Sequence, residues 1–495
     1  MGKYILSLDL GTTSIRAVLF DKHSNICAME QKEFTQYFEH PGWVEQDAEE
    51  IWQTLQILLA GLLVNQKIDF DEVEAIGITN QRETTIIWDK QTGLPIYRAI
   101  VWQSTQTNEI CEALIEQGHT EFIKHKTGLP INSYFSATKI RWILDRVPEA
   151  QKRAEAGDLL FGTVDSWILW KLSNGVHATD YSNASRTMLY NIFSLEWDGE
   201  ILSLLNIPRK LLPEVKDSSG YFATTSKTQF FNYEIPIMAI AGDQQASLFG
   251  HGCYEPGIVK NTYGTGCFML MNTLDKPIIS KNGLLTTIAW GIDGSIEYAI
   301  EGSIFVAGSA VQWLRDSLKL IDTAAESEQQ ALSLNDNQGV YLVPAFVGLG
   351  SPYWDSEAKG SIFGLTRGSG REAIVRATLE SICYQTKDVL DVMVEECNCD
   401  LKMLRVDGGA VENAFLMQFQ ADILGVEIDV AHVSETTALG VAYLAGLSSG
   451  FWTTKTEILQ YRQIKKHYSA KMSKEKQNQY YEKWKKAVAA TKMFK

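Results

Sequence analysis

The chain has 495 residues, 45% of them hydrophobic and 21% charged, proportions that exclude a disordered, collagen-like or coiled-coil protein. At roughly 100–200 residues per domain this length gives two to four domains with ample core. A formal net charge of −15 excludes general affinity for nucleic acid or anionic membrane, since both need a positive field.

The elements alternate along the chain. Residues 3–8 read as a strand, 11–14 as a tight polar turn and 15–20 as a second strand, a hairpin pattern. The opening segment is too poor in apolar residues for a signal peptide. Residues 49–63 have helical periodicity, 73–79 are strand-like, and 137–147 and 165–172 read as helices. The stretch 218–232 is polar and patternless, which predicts an exposed loop. Residues 257–273 repeat the hairpin design around Gly264-Thr265-Gly266. Helices are predicted over 303–320 and 371–396, then a strand at 403–406, a Gly408-Gly409 turn and a helix at 412–424. The charge-free segment 436–454 carries Gly440, Gly446 and Gly450 and reads as a buried helix, not a membrane span. Strands alternating with helices indicate α/β architecture. The recurring hairpin predicts two related lobes, 1–252 and 253–495.

Seven cysteines are present and none forms a CxxC pair. Cys27, Cys111, Cys253, Cys267 and Cys383 lie among apolar neighbours, as reduced core thiols do, and Cys397 and Cys399 read as surface thiols. The eight histidines show no metal-ligand spacing. The segment 460–495 carries ten Lys, one Arg and two Glu. Its Tyr480, Trp484 and Val488 recur every four residues, which predicts a terminal helix docked by an aromatic stripe with its lysines in water.

Three turns carry chemistry. In Asp9-Leu10-Gly11-Thr12-Thr13-Ser14 a Gly/Thr-rich turn offers N–H groups and hydroxyls to phosphate oxygens, and the acidic strand end suits Mg²⁺ held through water. Thr265 between two glycines is a second such turn. Asp407-Gly408-Gly409, running toward Asn413, lets a ligand approach the backbone. Each alone is also an ordinary hairpin or strand-to-helix turn. Elsewhere Arg82-Glu83 sets donors beside an acceptor, as adjacent hydroxyls require, although such a pair is often a silent surface ion pair. Trp102 offers an indole wall or a core residue. Asp243, after the apolar run 235–240, is a proton acceptor or a helix N-cap.

Taken in order, the three turns resemble the phosphate and adenosine elements of the actin-like ATPase superfamily. With Asn80-Gln81-Arg82-Glu83-Thr84-Thr85, Phe161-Gly162-Thr163-Val164-Asp165, Pro352-Tyr353-Trp354-Asp355 and Phe363-Gly364-Leu365-Thr366-Arg367-Gly368, the chain resembles the FGGY carbohydrate kinases. Within them it is most similar to the members that phosphorylate glycerol to sn-glycerol 3-phosphate. The resemblance covers nearly the whole chain. It implies two actin-like (ribonuclease H-like) lobes with a nucleotide and substrate cleft between them, ATP as donor and Mg²⁺ as its metal. It places Arg82, Glu83, Trp102, Tyr134, Asp243, Gln244 and Phe268 around glycerol, with Asp243 as general base. It places Thr12, Thr13, Ser14, Arg16, Thr265, Gly308, Gln312, Gly409 and Asn413 around the nucleotide and Asp9 at the metal. A cytoplasmic homodimer or homotetramer is implied, with no nucleic-acid partner and no membrane insertion.

Departures from the family pattern are Leu10 where glycerol-specific members have Gln, and Thr105 where Arg is usual. Gram-positive members carry, in the loop matching 218–232, a His that the phosphotransferase protein HPr phosphorylates. That position aligns with Gln229, so no HPr phosphorylation is expected there. The loop also lacks the Gly-rich, Arg-bearing pattern tied to inhibition by fructose 1,6-bisphosphate. A kinase for another small polyol or ketose is the alternative within the family. A chaperone or filament ATPase would leave Asp243 and Trp102 without a use, and the intact Asp9, Asp243 and phosphate turns speak against a non-catalytic regulator.

Overall fold

A computed structural model describes residues 2–494. Its backbone is organised by thirteen hydrogen-bonded strands: β1 Tyr4–Leu10, β2 Ser14–Phe20, β3 Ile26–Glu33, β4 Val73–Asn80, β5 Ser219–Thr224, β6 Pro236–Gly242, β7 Ile258–Tyr263, β8 Cys267–Leu274, β9 Leu285–Ile292, β10 Ser295–Ile304, β11 Met403–Asp407, β12 Glu427–Ala431 and β13 Ile464–Tyr468. Their spatial order is β13-β12-β11-β7-β8-β10-β9-β5-β6-β4-β1-β2-β3. The run β3-β2-β1-β4-β6 has three antiparallel strands followed by two that run parallel to the first. The run β10-β8-β7-β11-β12 repeats that plan. The two halves meet through a single register pair, Ser219 with Ile292. This duplication is the two-lobed α/β plan of the actin-like kinases.

Each half has its own core. Leu6, Leu8, Leu55, Ile78 and Trp167 belong to the first and Met269, Val343, Ile382, Leu404 and Met417 to the second, all fully or almost fully buried. Between them cross two apolar helices. Numbered in chain order with their companions, the helices used below are α1 Ala48–Val64, α2 Asp243–Gly250, α3 Gly308–Asp316, α4 Arg371–Cys397, α5 Ala414–Leu424, α6 Thr436–Ser449 and α7 Lys474–Met493. A Cβ on Gly440 would sit 1.7 Å from the Ala246 carbonyl oxygen, and one on Gly250 2.2 Å from that of Thr436. Glycine at both positions is what lets α2 and α6 touch backbone to backbone. No helix among the described residues is long and apolar enough to cross a membrane; α6, the charge-free segment, is buried along most of its length.

Several expectations need correction. The stretch 218–232 is not an exposed loop, because residues 219–224 pair with β6 and Phe222 and Phe230 are buried. Two aromatics in a polar sequence sufficed: Phe230 stacks on Phe70 at 5.1 Å. Gln229 sits half-buried in the following turn, its carbonyl accepting from Gln56 Nε2 at 3.1 Å. The 303–320 helix begins only at Gly308, because the apolar run before it completes β10, with Cys267 opposite Ile304. The helix expected from 412 begins at Ala414, where Asn413 caps it by accepting from Leu416 N. Cys27 is exposed on the edge strand β3, whereas Cys397 and Cys399 are half-buried against the second core. The terminal helix docks through the predicted stripe, with Trp484 fully buried and its Nε1 donating to Asp388 at 2.8 Å.

Candidate active site

Register explains why distant residues meet. β1, β4 and β6 are parallel neighbours, Leu10 opposite Asn80 and Asn80 opposite Gly242. Their carboxyl ends therefore deliver Asp9, the Gln81-Arg82-Glu83 turn and Asp243-Gln244 to one edge, the place where open α/β sheets bind ligands. In the second half Thr262 lies opposite Asp407, so Gly264-Thr265 and Gly408-Gly409 leave the sheet side by side.

Asp243 is the first residue of α2, and Gly242 holds the cap position; the carboxylate is not the N-cap that is the plain structural use of such an Asp. It stays half-buried, with Oδ1 3.3 Å from Arg82 Nε and accepting from Gln244 N at 2.7 Å. Burial pushes its pKa up, while Arg82 and Lys260 oppose that shift.

Arg82 and Glu83 are 3% and 1% exposed, so they are not a surface ion pair. Arg82 grips Glu301 through Nη1 and Nη2, at 2.7 and 2.9 Å, and Glu83 accepts from Arg186 Nε at 2.6 Å. Burial would raise the pKa of Glu301, but Arg186 and Arg82 outweigh it and hold the group down to about 2. Trp102 meets Tyr134 edge to face at 5.3 Å and Phe268 at 6.3 Å, and all three rings are half-buried. The predicted polyol residues thus form one cluster of paired charges and an aromatic wall. Lys260, fully buried on β7, donates to Gln244 Oε1 and to the Phe268 carbonyl, the latter at 3.2 Å. Its ammonium is brought down to about 8 by burial, against the pull of Asp407, Asp243 and Glu301. Thr105 faces away, donating to the Gly42 carbonyl at 3.0 Å, and Leu10 is buried at the end of β1.

Six of the nine nucleotide candidates line two adjoining cavities, and Thr12, Thr13 and Ser14 line neither. Thr265, Gly308, Gln312, Gly409 and Asn413 border one of ≈ 460 Å³. Asp9, Arg16 and Gly409 border the other, of ≈ 440 Å³, and Glu412 belongs to both. The Gly264-Thr265 turn rests on the start of α3: Gly308 N donates to Gly264 O at 3.0 Å and Ser309 N to Thr265 O at 3.2 Å. In the first turn Thr12 Oγ1 accepts from Trp102 Nε1 at 3.0 Å, tying the aromatic wall to the phosphate turn. Thr13 is exposed, and Ser14 Oγ accepts from Gln31 at 3.3 Å. Asp9 is 5% exposed with Arg16 Nη1 at 3.4 Å. Burial raises it to about 7, Arg16 only partly opposing, and Glu435 and Asp243 add to the rise.

Sequence reasoning missed Arg186, Glu301 and Lys260. The signal was present: each is a charge inside an otherwise apolar or small-residue strand or turn, which burial forbids unless the charge has a partner.

Models of the FGGY family of carbohydrate kinases match the chain, the N-terminal domain over residues 4–250 and the C-terminal domain over 259–449. Glycerol kinase of Geobacillus sp. (strain WCH70) is 59% identical, and that of Bacillus subtilis (strain 168) 57%, with both chains covered completely in each case. The crystal structure of Plasmodium falciparum glycerol kinase with ADP superposes with a TM-score of 0.94 at 37% identity, covering 99% of this chain and 98% of that one. Gluconate kinase from Lactobacillus acidophilus, at 22% identity and a TM-score of 0.89 over 99% and 98% of the two chains, shares the fold. The chain belongs to the FGGY family of carbohydrate kinases.

Proposed function

We propose that this chain transfers the γ-phosphoryl group of ATP to a terminal hydroxyl of glycerol, giving sn-glycerol 3-phosphate. What supports this reading is Asp243 held 3.3 Å from Arg82, beside the buried charges and the aromatic wall. Gln244 N donates to it at 2.7 Å, and the parallel strands that end beside it also carry Asp9, which borders one of the two cavities lined by the Thr265 and Gly408-Gly409 turns. Three hydroxyls on a three-carbon chain need both donors and acceptors close together and an apolar wall for the C–H faces. Full-length relatives near 58% identity named glycerol kinase support glycerol over a ketose or gluconate.

Asp243 orients the attacking hydroxyl and accepts its proton late, as the bond to the loosened γ-phosphoryl forms. Arg82 Nε beside it favours the carboxylate form. Thr12, Thr13, Ser14 and the backbone of the Thr265 turn donate to phosphate oxygens, and Arg16 adds positive charge. The packed aromatic wall excludes water, which would otherwise compete as acceptor. Asp9 fits a Mg²⁺ ion: it is a buried carboxylate whose negative charge Arg16 only partly offsets, and it faces a cavity. No cluster of three or more acidic, His or Cys ligands occurs among the described residues; Mg²⁺ in kinase sites keeps several waters and is held by one or two carboxylates plus substrate phosphates. When bound, that ion neutralises charge developing on the phosphates.

The same reading carries a cytoplasmic enzyme, self-associating as a dimer or tetramer, with no phosphorylation by HPr at Gln229. Incubation with phosphorylated HPr that labels residues 218–232 would refute the last point. The main test is ADP release across glycerol, dihydroxyacetone, xylulose and gluconate, with Asp243→Asn as the control. Glycerol should give the highest kcat/KM. A glycerol signal no higher than the control's sinks the proposal.

A further inference from the structure

Four charged side chains meet beneath the proposed polyol pocket, and only two of them belong to the Arg82–Glu83 pair. Glu301 takes Arg82 in a two-point fork at 2.7 and 2.9 Å, the geometry that fixes a guanidinium plane. Its Oε1 also accepts from Arg186 Nη2 at 3.3 Å, and Arg186 Nε reaches Glu83 at 2.6 Å. Glu83 Oε1 lies 3.9 Å from Arg82 Nε. The four therefore close a ring of alternating sign, each at most 3% exposed.

The ring decides what the pocket has to offer. Both hydrogens on Arg82 Nη1 are committed, to Glu301 and to Gln245 Oε1 at 3.2 Å, and one on Nη2 is committed to Glu301. What remains is the Nε hydrogen, on the Asp243 side, and one on Nη2. On Glu83 the oxygen left over is Oε2. Rigid elements hold the anchors. Glu301 stands in β10 opposite Leu270 of β8, the strand that also carries Phe268. Arg186 follows the turn at Ser185, whose hydroxyl bonds Thr287 at 2.9 Å. Neither anchor is needed to neutralise the substrate, which is uncharged. Burying two further ions is costly unless their arrangement matters.

We infer that Glu301, acting with Arg186, is a positioning residue for the polyol: it aims the free edge of Arg82 and the free oxygen of Glu83 at the substrate hydroxyls. This rests on the glycerol reading above.

The test is Glu301→Gln, which keeps the shape and removes the charge that both arginines share. The expected result is a rise in KM for glycerol of about ten- to a hundredfold, a smaller change in kcat and a KM for ATP within about twofold. Glu301→Asp, which keeps the charge on a shorter stem, should give a smaller rise in the same direction. It carries the test if the Gln variant fails to bind ADP by calorimetry. A positioning role makes a further demand that general loosening does not. The penalty on kcat/KM must shrink for 1,2-propanediol or 1,3-propanediol, because one of them lacks the hydroxyl that the aimed pair holds. An equal penalty on glycerol and both diols, or an unmoved KM in a variant that binds ADP, overturns the inference. A wild-type protein with no glycerol-dependent ADP release sinks the glycerol reading and this inference together, whereas an active wild type beside an indifferent variant sinks this inference alone.

Discussion

On one side of Asp243 the site is lined by charges that water barely reaches: Arg82, Glu83, Arg186 and Glu301 are 3%, 1%, 0% and 0% exposed. The nucleotide candidates are instead glycines, the exposed Thr13 and Thr265 and backbone N–H groups, with Thr265 and Gly308 lining a cavity. On the proposed reading the difference follows from what each side receives. Glycerol brings no charge, so any ion on its side must be paired before it arrives, and pairing then fixes direction. A nucleotide brings several negative charges, so its side needs donors still unspent, which tight turns supply without a permanent charge. Rigidity of side chains on one hand and closeness of backbone on the other are separate designs, and they should fail separately.

The sharpest break falls where the two sides meet. Asp243→Asn should lower kcat by about 10²–10⁴ while moving KM for ATP by less than about threefold, read by coupled ADP release; a loss under tenfold would mean another group takes the proton. Next comes the backbone side. A Cβ on Gly308 would stand 2.5 Å from the Gly264 carbonyl oxygen, so Gly308→Val must push the second phosphate turn away from α3. We expect KM for ATP to rise about tenfold or more with KM for glycerol nearly unchanged. An equal rise in both would show that the two sides are not independent.

Much of this was legible in the sequence, and the reason is local. The hairpin tips at 11–14 and 264–266 and the Gly408-Gly409 turn are short-range devices, written in adjacent residues, and they occupy the positions their sequence implies. The long α4, expected over 371–396, is found at Arg371–Cys397. What was not legible depends on partners far away in the chain. Arg82 and Glu83 look like an adjacent pair, yet each is claimed by a residue more than a hundred positions distant. The 218–232 stretch is polar because its strand is covered at only some positions, and the two phenylalanines that hold it were outvoted by composition. The helix start differs at 308 because an apolar run extends a strand as readily as it begins a helix, and at 414 because Asn413 caps the helix by accepting from Leu416 N.

Lys260 offers the finest test of the comparison, since this buried cation feels groups from both sides. Around it stand Asp243, Glu301 and Arg82 from the polyol side and Asp407 from the nucleotide side, while its hydrogen bonds go to Gln244 and Phe268. Holding Gln244 by its oxygen leaves that amide's N–H groups to face a hydroxyl. Burial brings the ammonium down to about 8, so a modest rise in pH discharges it and releases Gln244. The expected outcome is a kcat/KM for glycerol that falls as pH climbs through about 8, with Lys260→Met already at the low value near pH 7. The ratio of wild type to variant therefore shrinks toward one by about pH 9.5. Stability runs the opposite way. The folded chain gives up this proton below the ordinary lysine range, so from about pH 8 upward the unfolded chain binds more protons than the folded one, and the wild type gains stability relative to the variant. Thermal melts of both proteins across that range check the sign. A ratio that stays constant while the melting difference shifts would mean that Lys260 titrates but does not set Gln244, and the charge between the two sides would then be structural only.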